Sequence, residues 1–302
     1  MRRLLPLVLL PALALAGCSG GGAGTGASPS SSGKVRVVAS TDVWGDVVRQ
    51  VGGPAVEVTS LISDPDRDPH EYQADPRAHL AVSRAQLVVV NGGGYDDFLS
   101  RLLENAPEST EVLDAADESG LDTDPAAGEF NEHLWYDLPV VSRIAAHVGD
   151  RLARVDPARK AVFEAGVRRF QGRLQALIDE ERDAGAAAKG EGVAITEPVP
   201  LYMTAALGLV NRTPAAFSEA IEEGDDVAPG VLQQQLAVIR EKRVALLAYN
   251  EQTTGPTTEQ VLAAARSAGV PVVGVRETLP DGQDYLQWMR HDLDSMRAAT
   301  AR

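Results

Sequence analysis

From Lys34 onward two rhythms of apolar residues alternate along the chain. Short β-branched runs at residues 35–39, 56–61, 86–90 and 111–113 predict four strands in the first half, and runs at 193–196, 244–249 and 270–275 predict three in the second. Several of these runs are continuously apolar, as in Leu87-Val88-Val89-Val90, which fits strands covered on both faces by helices. Between the two sets the spacing turns helical. Residues 138–153 read as one helix, and Asp156-Pro157 then offers an N-cap followed by Pro at the first helical position. The helical pattern that starts there runs to about residue 188. A helix of roughly 32 residues is about 48 Å long, more than one small domain needs, so it reads as a strut joining two lobes.

The predicted fold is therefore α/β: two lobes, each a small, mostly parallel sheet covered by helices, joined by a long rigid helix with a site in the cleft between them. The predicted boundaries are 34–155 for the first lobe, 156–189 for the linking helix and 190–302 for the second lobe. The stripes at 232–239 and 261–268, and Trp288-Met289 near the end, read as core-facing.

What precedes residue 34 changes the picture. Arg2 and Arg3 are followed by an apolar run at 4–16 that is too short to span a bilayer and reads as a signal peptide covering residues 1–17. It ends in Leu15-Ala16-Gly17-Cys18, which resembles the bacterial lipobox, where the leader is cut before a cysteine that is then lipidated. Residues 18–33 would then be a lipidated Cys18 followed by a Gly/Ser tether, which has too little apolar surface to fold. Cys18 is the only cysteine. The folded part therefore has no thiol for a disulfide or a metal, and the protein is expected outside the cytoplasm, anchored to the outer face of the cell membrane.

Net charge is −15, and loss of the two leader arginines makes it about −17, which repels phosphate backbones and argues against nucleic acid. Three Trp, six Tyr and five Phe are few for a site that stacks sugars on ring faces. Gly92-Gly93-Gly94 lacks the continuation of a phosphate loop.

Ligands of open α/β sheets bind beyond the carboxyl ends of the strands. Here those ends are polar: Ser40-Thr41-Asp42, Asn91, Glu197, Asn250-Glu251 and Glu277. Of the five histidines, His79, His147 and His291 fall on predicted helices and read as structural. His70 sits between prolines and carboxylates in Asp64-Pro65-Asp66-Arg67-Asp68-Pro69-His70-Glu71-Tyr72, and His133 stands beside Glu132, Trp135, Tyr136 and Asp137. A divalent transition metal needs three or four N or O donors at about 2.0 to 2.2 Å, and two imidazoles from the first lobe with two carboxylates from strand ends of the second supply such a cage.

At this point the chain resembles a known family, the zinc/manganese-type (cluster A-I) solute-binding lipoproteins of metal ABC importers. The resemblance rests on Asp68-Pro69-His70-Glu71-Tyr72, Glu132-His133-Leu134-Trp135-Tyr136-Asp137-Leu138-Pro139, Thr196-Glu197-Pro198, Tyr249-Asn250-Glu251-Gln252-Thr253 and Glu277-Thr278-Leu279-Pro280, with the lipobox and the long helix. It implies metal ligands at His70, His133, Glu197 and Glu277, separated by 63, 64 and 80 residues, which suits a cleft rather than a local finger. Glu at the third position follows the manganese-type pattern where zinc-type members carry His. Glu277 stands where Asp is usual, Asn131-Glu132 stands where Asp-Pro is common, and the stretch before His133 is acidic where many zinc-type members are His-rich.

The resemblance implies a binding protein, not an enzyme, with no resident cofactor. It captures a divalent transition metal as cargo, zinc or manganese with ferrous iron also accepted by the donor set, and hands it to a membrane permease driven by its ATPase. The chain is expected to be a monomer held to the membrane by its lipid. Proton competition at the imidazoles predicts affinity falling below about pH 6.5. Two other readings stay open: a lipoprotein importing a small organic solute, and a metal-dependent hydrolase with Glu251 or Asp42 as base. An added role in surface adhesion is neither supported nor opposed by the residues.

Overall fold

The computed structural model describes residues 33–66, 68–124 and 130–301, so the leader, Cys18 and nearly all of the tether lie outside the described residues. The first half runs β1 (Val35–Thr41), α1 (Asp42–Gly52), β2 (Val56–Ile62), α2 (Pro76–Val82), β3 (Leu87–Val90), α3 (Phe98–Leu103), β4 (Glu111–Asp114), α4 (Ala115–Ser119) and α5 (Leu138–Val155). The second follows α6 (Lys160–Ala188) with β5 (Gly192–Ile195), α7 (Leu201–Ala206), β6 (Val210–Asn211), α8 (Ala215–Glu222), α9 (Pro229–Arg240), β7 (Leu246–Asn250), α10 (Pro256–Ala268), β8 (Val272–Val275) and α11 (Tyr285–Thr300).

The strands form two four-stranded sheets, ordered β2-β1-β3-β4 and β6-β5-β7-β8, and every pairing is parallel. This is the predicted α/β class. Every residue of β3, β5 and β7 is buried, as their uninterrupted apolar runs require. Each order reverses once. In the first sheet the chain goes from β1 out to β2 and returns to the other side of β1 as β3; in the second it goes from β5 out to β6 and returns as β7. Such reversals leave a crevice at the carboxyl ends of the two central strands, because the helices that follow them diverge to opposite faces.

Helix α1 shows how the first core is built. Thr41 caps it by accepting from the Trp44 N–H, and Val43, Trp44, Val47, Val48 and Val51 line one buried stripe. Full burial of side chains of this size contributes roughly 1.5–3 kcal/mol each. Trp135, Tyr136, Tyr285, Trp288 and Met289 are also buried, so the C-terminal helix packs inward as its pattern predicts.

The long helix is 29 residues rather than 32, because Pro157–Arg159 take a 3-10 turn before it begins. Its two ends are seated by glycines. A Cβ at Gly166 would lie 1.8 Å from the Val51 carbonyl oxygen on α1, and one at Gly185 would lie 2.7 Å from the Ala206 carbonyl oxygen on α7. Only glycine lets backbone approach that closely. No helix among the described residues is long and apolar enough to cross a membrane.

Candidate metal centre

His70 lies in a 3-10 turn, Pro69–Glu71, that Asp68 caps by accepting from the His70 N–H at 2.9 Å. The proline fixes the first turn and the cap closes it, so the imidazole is aimed before any ligand arrives.

His133 is held more tightly still. Its backbone N–H donates to Asn131 Oδ1 at 3.2 Å, and its ring Nδ1 lies 2.7 Å from the same oxygen. The amide orientation of Asn131 is set by its Nδ2 donating to the Pro198 carbonyl at 3.2 Å. With an acceptor facing it, Nδ1 carries the proton, and Nε2 of the neutral ring presents its lone pair inward. Trp135 packs edge-on to the His133 ring at 5.2 Å between centroids, and Tyr95 at 6.0 Å.

Glu277 follows β8 and is fully buried. Its Oε1 accepts from Asn250 Nδ2 at 2.8 Å and its Oε2 from the Tyr95 hydroxyl at 3.1 Å. Gln252 Oε1 accepts from the Glu277 backbone N–H at 2.6 Å. These bonds bring the two switch points together. Tyr95 follows β3, where Gly92, Gly93 and Gly94 all take positive φ, and Asn250 ends β7. At Gly92 a Cβ would strike the Asp114 carboxylate at 2.1 Å. The three glycines therefore turn the chain toward the cleft, rather than cradle a phosphate.

The ligand atoms of His70, His133 and Glu277 all lie within 4.8 Å of one another. Glu277 Oε2 is 3.4 Å from both imidazole Nε2 atoms. Glu222, at the last position of α8, places its Oε1 3.4 Å from the same two nitrogens. The fourth expected donor, Glu197, is buried beside this group. One of its oxygens is held by the Asn250 and Thr253 side chains, while Oε2 has no hydrogen-bond partner. The structure therefore brings His70, His133 and Glu277 together, sets Glu197 at their edge, and adds Glu222. The sequence reading did not single out Glu222, because it opens an acidic run, Glu222-Glu223-Gly224-Asp225-Asp226, that looks like a solvated helix end.

The electrostatics match a site built for a cation. Burial alone would lower His70, but the Glu222 and Glu277 carboxylates override it and push the imidazole up to about 11. His133 is pushed up to about 9 in the same way. Burial would raise Glu277, yet the two imidazoles hold it well below the usual carboxylate range. Burial, with Glu277 and Glu222 nearby, pushes Glu197 up to about 8. In the metal-free protein protons therefore stand in for the dication. The carboxylates that attract a cation also attract protons to the imidazoles, so competition with protons is expected above pH 6.5 as well as below it.

Residues cast in a hydrolytic role are engaged elsewhere. Glu251 pairs with Arg276 at 2.9 Å, and Asp42 accepts from the Leu279 N–H at 3.2 Å. A hollow of about 770 Å³ runs along the β2 edge past Thr59, Ile62 and Tyr72, and its lining includes none of the four expected donors.

Known proteins resemble this chain over most of its length. Residues 37–299 match the family model described as ZnuA, zinc-uptake complex component A, periplasmic. The manganese ABC transporter substrate-binding lipoprotein ScaA of Streptococcus gordonii is 24% identical over 317 residues, covering 99% of each chain. The manganese-binding lipoprotein MntA of Halalkalibacterium halodurans is 26% identical over 297 residues, covering 96% of this chain and 95% of its own. Among solved structures, the periplasmic zinc-binding protein TroA of Treponema pallidum superposes with a TM-score of 0.76 at 20% identity, covering 89% of this chain and 100% of its own. The chain belongs to the zinc-uptake complex component A family.

Proposed function

We propose that this family member binds a divalent transition metal, zinc or manganese, and delivers it to the membrane permease of an ABC importer. The observation that carries the reading is the convergence of two buried imidazole nitrogens and the Glu277 carboxylate, all within 4.8 Å of one another. Imidazole and carboxylate without thiolate suit zinc and manganese, and a surplus of carboxylate oxygens moves the preference toward manganese. The Glu197 carboxylate, buried at the edge of the group, is a further donor in reach of a small side-chain rotation. The lobes are 34–155 and 190–302, with 156–189 between them, and the cargo sits between β-strand ends of both.

The chain works outside the cytoplasm as a monomer, held to the membrane by lipid on Cys18 and partnered by the permease and its ATPase. The two curated relatives above are named as lipoproteins, which supports that reading. It is a transport component and not an enzyme, in keeping with its family. An organic solute is disfavoured because rings of Tyr95, Trp135 and His133 close around the donors.

The test is metal content and thermal midpoint of the chelator-stripped protein after separate addition of zinc, manganese, ferrous iron and calcium. One equivalent of zinc or manganese is expected, with about 2.7 kcal/mol of stabilisation at a hundredfold excess over Kd, and with both effects lost in His70→Ala. No shift with any dication would overturn the reading.

A further inference from the structure

Glu222 is the donor that no strand end explains. Its Oε1 is 3.4 Å from Nε2 of both His70 and His133, the same spacing as Glu277 Oε2. Two donors bound side by side to one ion at about 2.0 to 2.2 Å lie about 3 to 3.6 Å apart, so each of these four contacts has the spacing of neighbouring ligands. Both Glu222 oxygens are buried and have no hydrogen-bond partner, and the same holds for the two imidazole Nε2 atoms. Glu277, by contrast, has both oxygens engaged, by Asn250 and Tyr95. A carboxylate at a helix C-terminus whose charge is met only by imidazoles, and only when these are protonated, faces the negative end of the helix dipole, a placement that does not favour folding. It is accounted for by a cation.

A second grouping points the same way. Ligand atoms of His70, Glu132 and Glu222 also fall within 4.8 Å of one another. The two groupings share His70 and differ in depth: the side chains of His133 and Glu277 are fully buried, whereas those of His70 and Glu222 retain 23% and 12% exposure. Glu132, like His70 and Glu222, is half-buried, and its backbone carbonyl is held by Asn91 Nδ2 at 3.0 Å.

We propose that Glu222 is a ligand of the bound cation and that, with His70 and Glu132, it forms an outer position through which the cation passes to reach His133 and Glu277. This rests on the metal-binding reading above. A cation arriving from solvent first meets His70, Glu132 and Glu222, then exchanges Glu132 for the two buried donors while His70 and Glu222 stay bound. Because the positions share ligands, one ion occupies the pair at a time.

The experiment uses the full chain, stripped with chelator, and zinc and manganese alone as probes. Glu222→Gln is expected to keep one equivalent of metal, to weaken Kd at least tenfold, to speed release to a chelator by a similar factor, and to lose one oxygen from the coordination shell in metal-edge X-ray absorption. Glu222→Asp, which keeps the charge and shortens the arm, should fall between wild type and Glu222→Gln; it serves as the readout if Glu222→Gln fails to fold. Glu132→Gln should slow association severalfold and change the release rate by less than twofold. Unchanged Kd and shell in Glu222→Gln would overturn the ligand, and unchanged association in Glu132→Gln would overturn the outer position. His133→Ala separates the two levels, because it leaves the outer position intact: it should bind more weakly and release faster than wild type with association little changed, and an unchanged Kd would mean that the metal centre itself is misassigned.

Discussion

The two sheets share one strand order and one switch point, yet they bring opposite chemistry to the cleft. The first half supplies the nitrogen donors His70 and His133, each fixed by a backbone hydrogen bond to a neighbouring side chain. The second supplies carboxylates: Glu197, Glu222 and Glu277. The segregation has a physical consequence. Imidazoles with one carboxylate of their own half, Glu132, among the candidate donors attract the acids of the other half across the cleft, so the protonated, metal-free site is held in the arrangement that a dication needs. Had each half carried one His and one Glu, each pair would have satisfied itself locally, leaving the shared apolar core and bonds such as Tyr136 to Asp292 and Tyr285 to the Trp135 carbonyl as what joins the halves.

The comparison is broken most severely by removing one kind of donor. At pH 7 an imidazole without its partner sheds its proton at almost no free-energy cost, whereas a carboxylate must take one up against a reference pKa near 4.3, about 3.5 kcal/mol uphill. His133→Ala leaves Glu222 and Glu277 facing each other with one imidazole between them. It should destabilise the metal-free protein by about 3 kcal/mol or more. Glu277→Gln should cost about 1–2 kcal/mol while weakening metal binding as much. Chemical denaturation of both variants without metal decides the matter: equal losses would show that the donors are not segregated energetically.

A smaller effect sharpens the same contrast through pH. The imidazoles are raised in the folded state, so their contribution to stability is complete below about pH 6.5 and is lost as pH rises toward the values of about 9 and 11. Glu277 is lowered, and its contribution is present above the ordinary Glu value and lost as pH falls through the acid range. From pH 6.5 to 9.5 the metal-free thermal midpoint should therefore decline by a few degrees, roughly 1–2 kcal/mol, while metal affinity rises over the same window. Midpoints that climb together with affinity would contradict the proton-for-metal exchange.

The parts of this arrangement differ in how far the sequence reveals them. The central strands β3, β5 and β7 show because parallel, doubly covered strands must be apolar throughout, and β1, β2, β4 and β8 show more weakly, from short β-branched runs interrupted by polar or half-buried residues. β6 does not: it is two exposed residues paired at the sheet edge, with no pattern to display. His70 and His133 are legible from prolines, carboxylates and aromatics close by in the chain, and Glu277 from its place after a strand. Tyr95 is hidden because its role depends on a Gly-rich turn whose direction only the fold fixes, and Glu222 because partners 89 and 152 residues away give it meaning. Asn131 stands where Asp is commoner in the resembled family, and here its side-chain oxygen, a neutral acceptor, faces His133 Nδ1 at 2.7 Å.

The smallest predicted effect lies outside the cleft, on the helix that both halves share. Glu181 in α6 is almost fully buried and its Oε1 has no hydrogen-bond partner. Burial, aided by the Asp137 carboxylate, pushes it up to about 8. Among the described residues the groups acting on it are Asp137 and Tyr285, themselves raised by burial, and neither favours its ionised form. A carboxyl raised in this way binds its proton more tightly folded than unfolded. Its contribution is complete below about pH 4.5 and is lost as pH rises through about 8, the opposite sign to Glu277. Glu181→Gln keeps the shape and removes the titration. It should match wild type near pH 5 and be more stable by about 1 kcal/mol at pH 8, a midpoint shift of about 2–4 °C. The two proteins' midpoints should converge as pH falls; a constant offset between pH 5 and 8 would mean that Glu181 does not change protonation on folding, and that the strut is indifferent to pH while the metal centre is not.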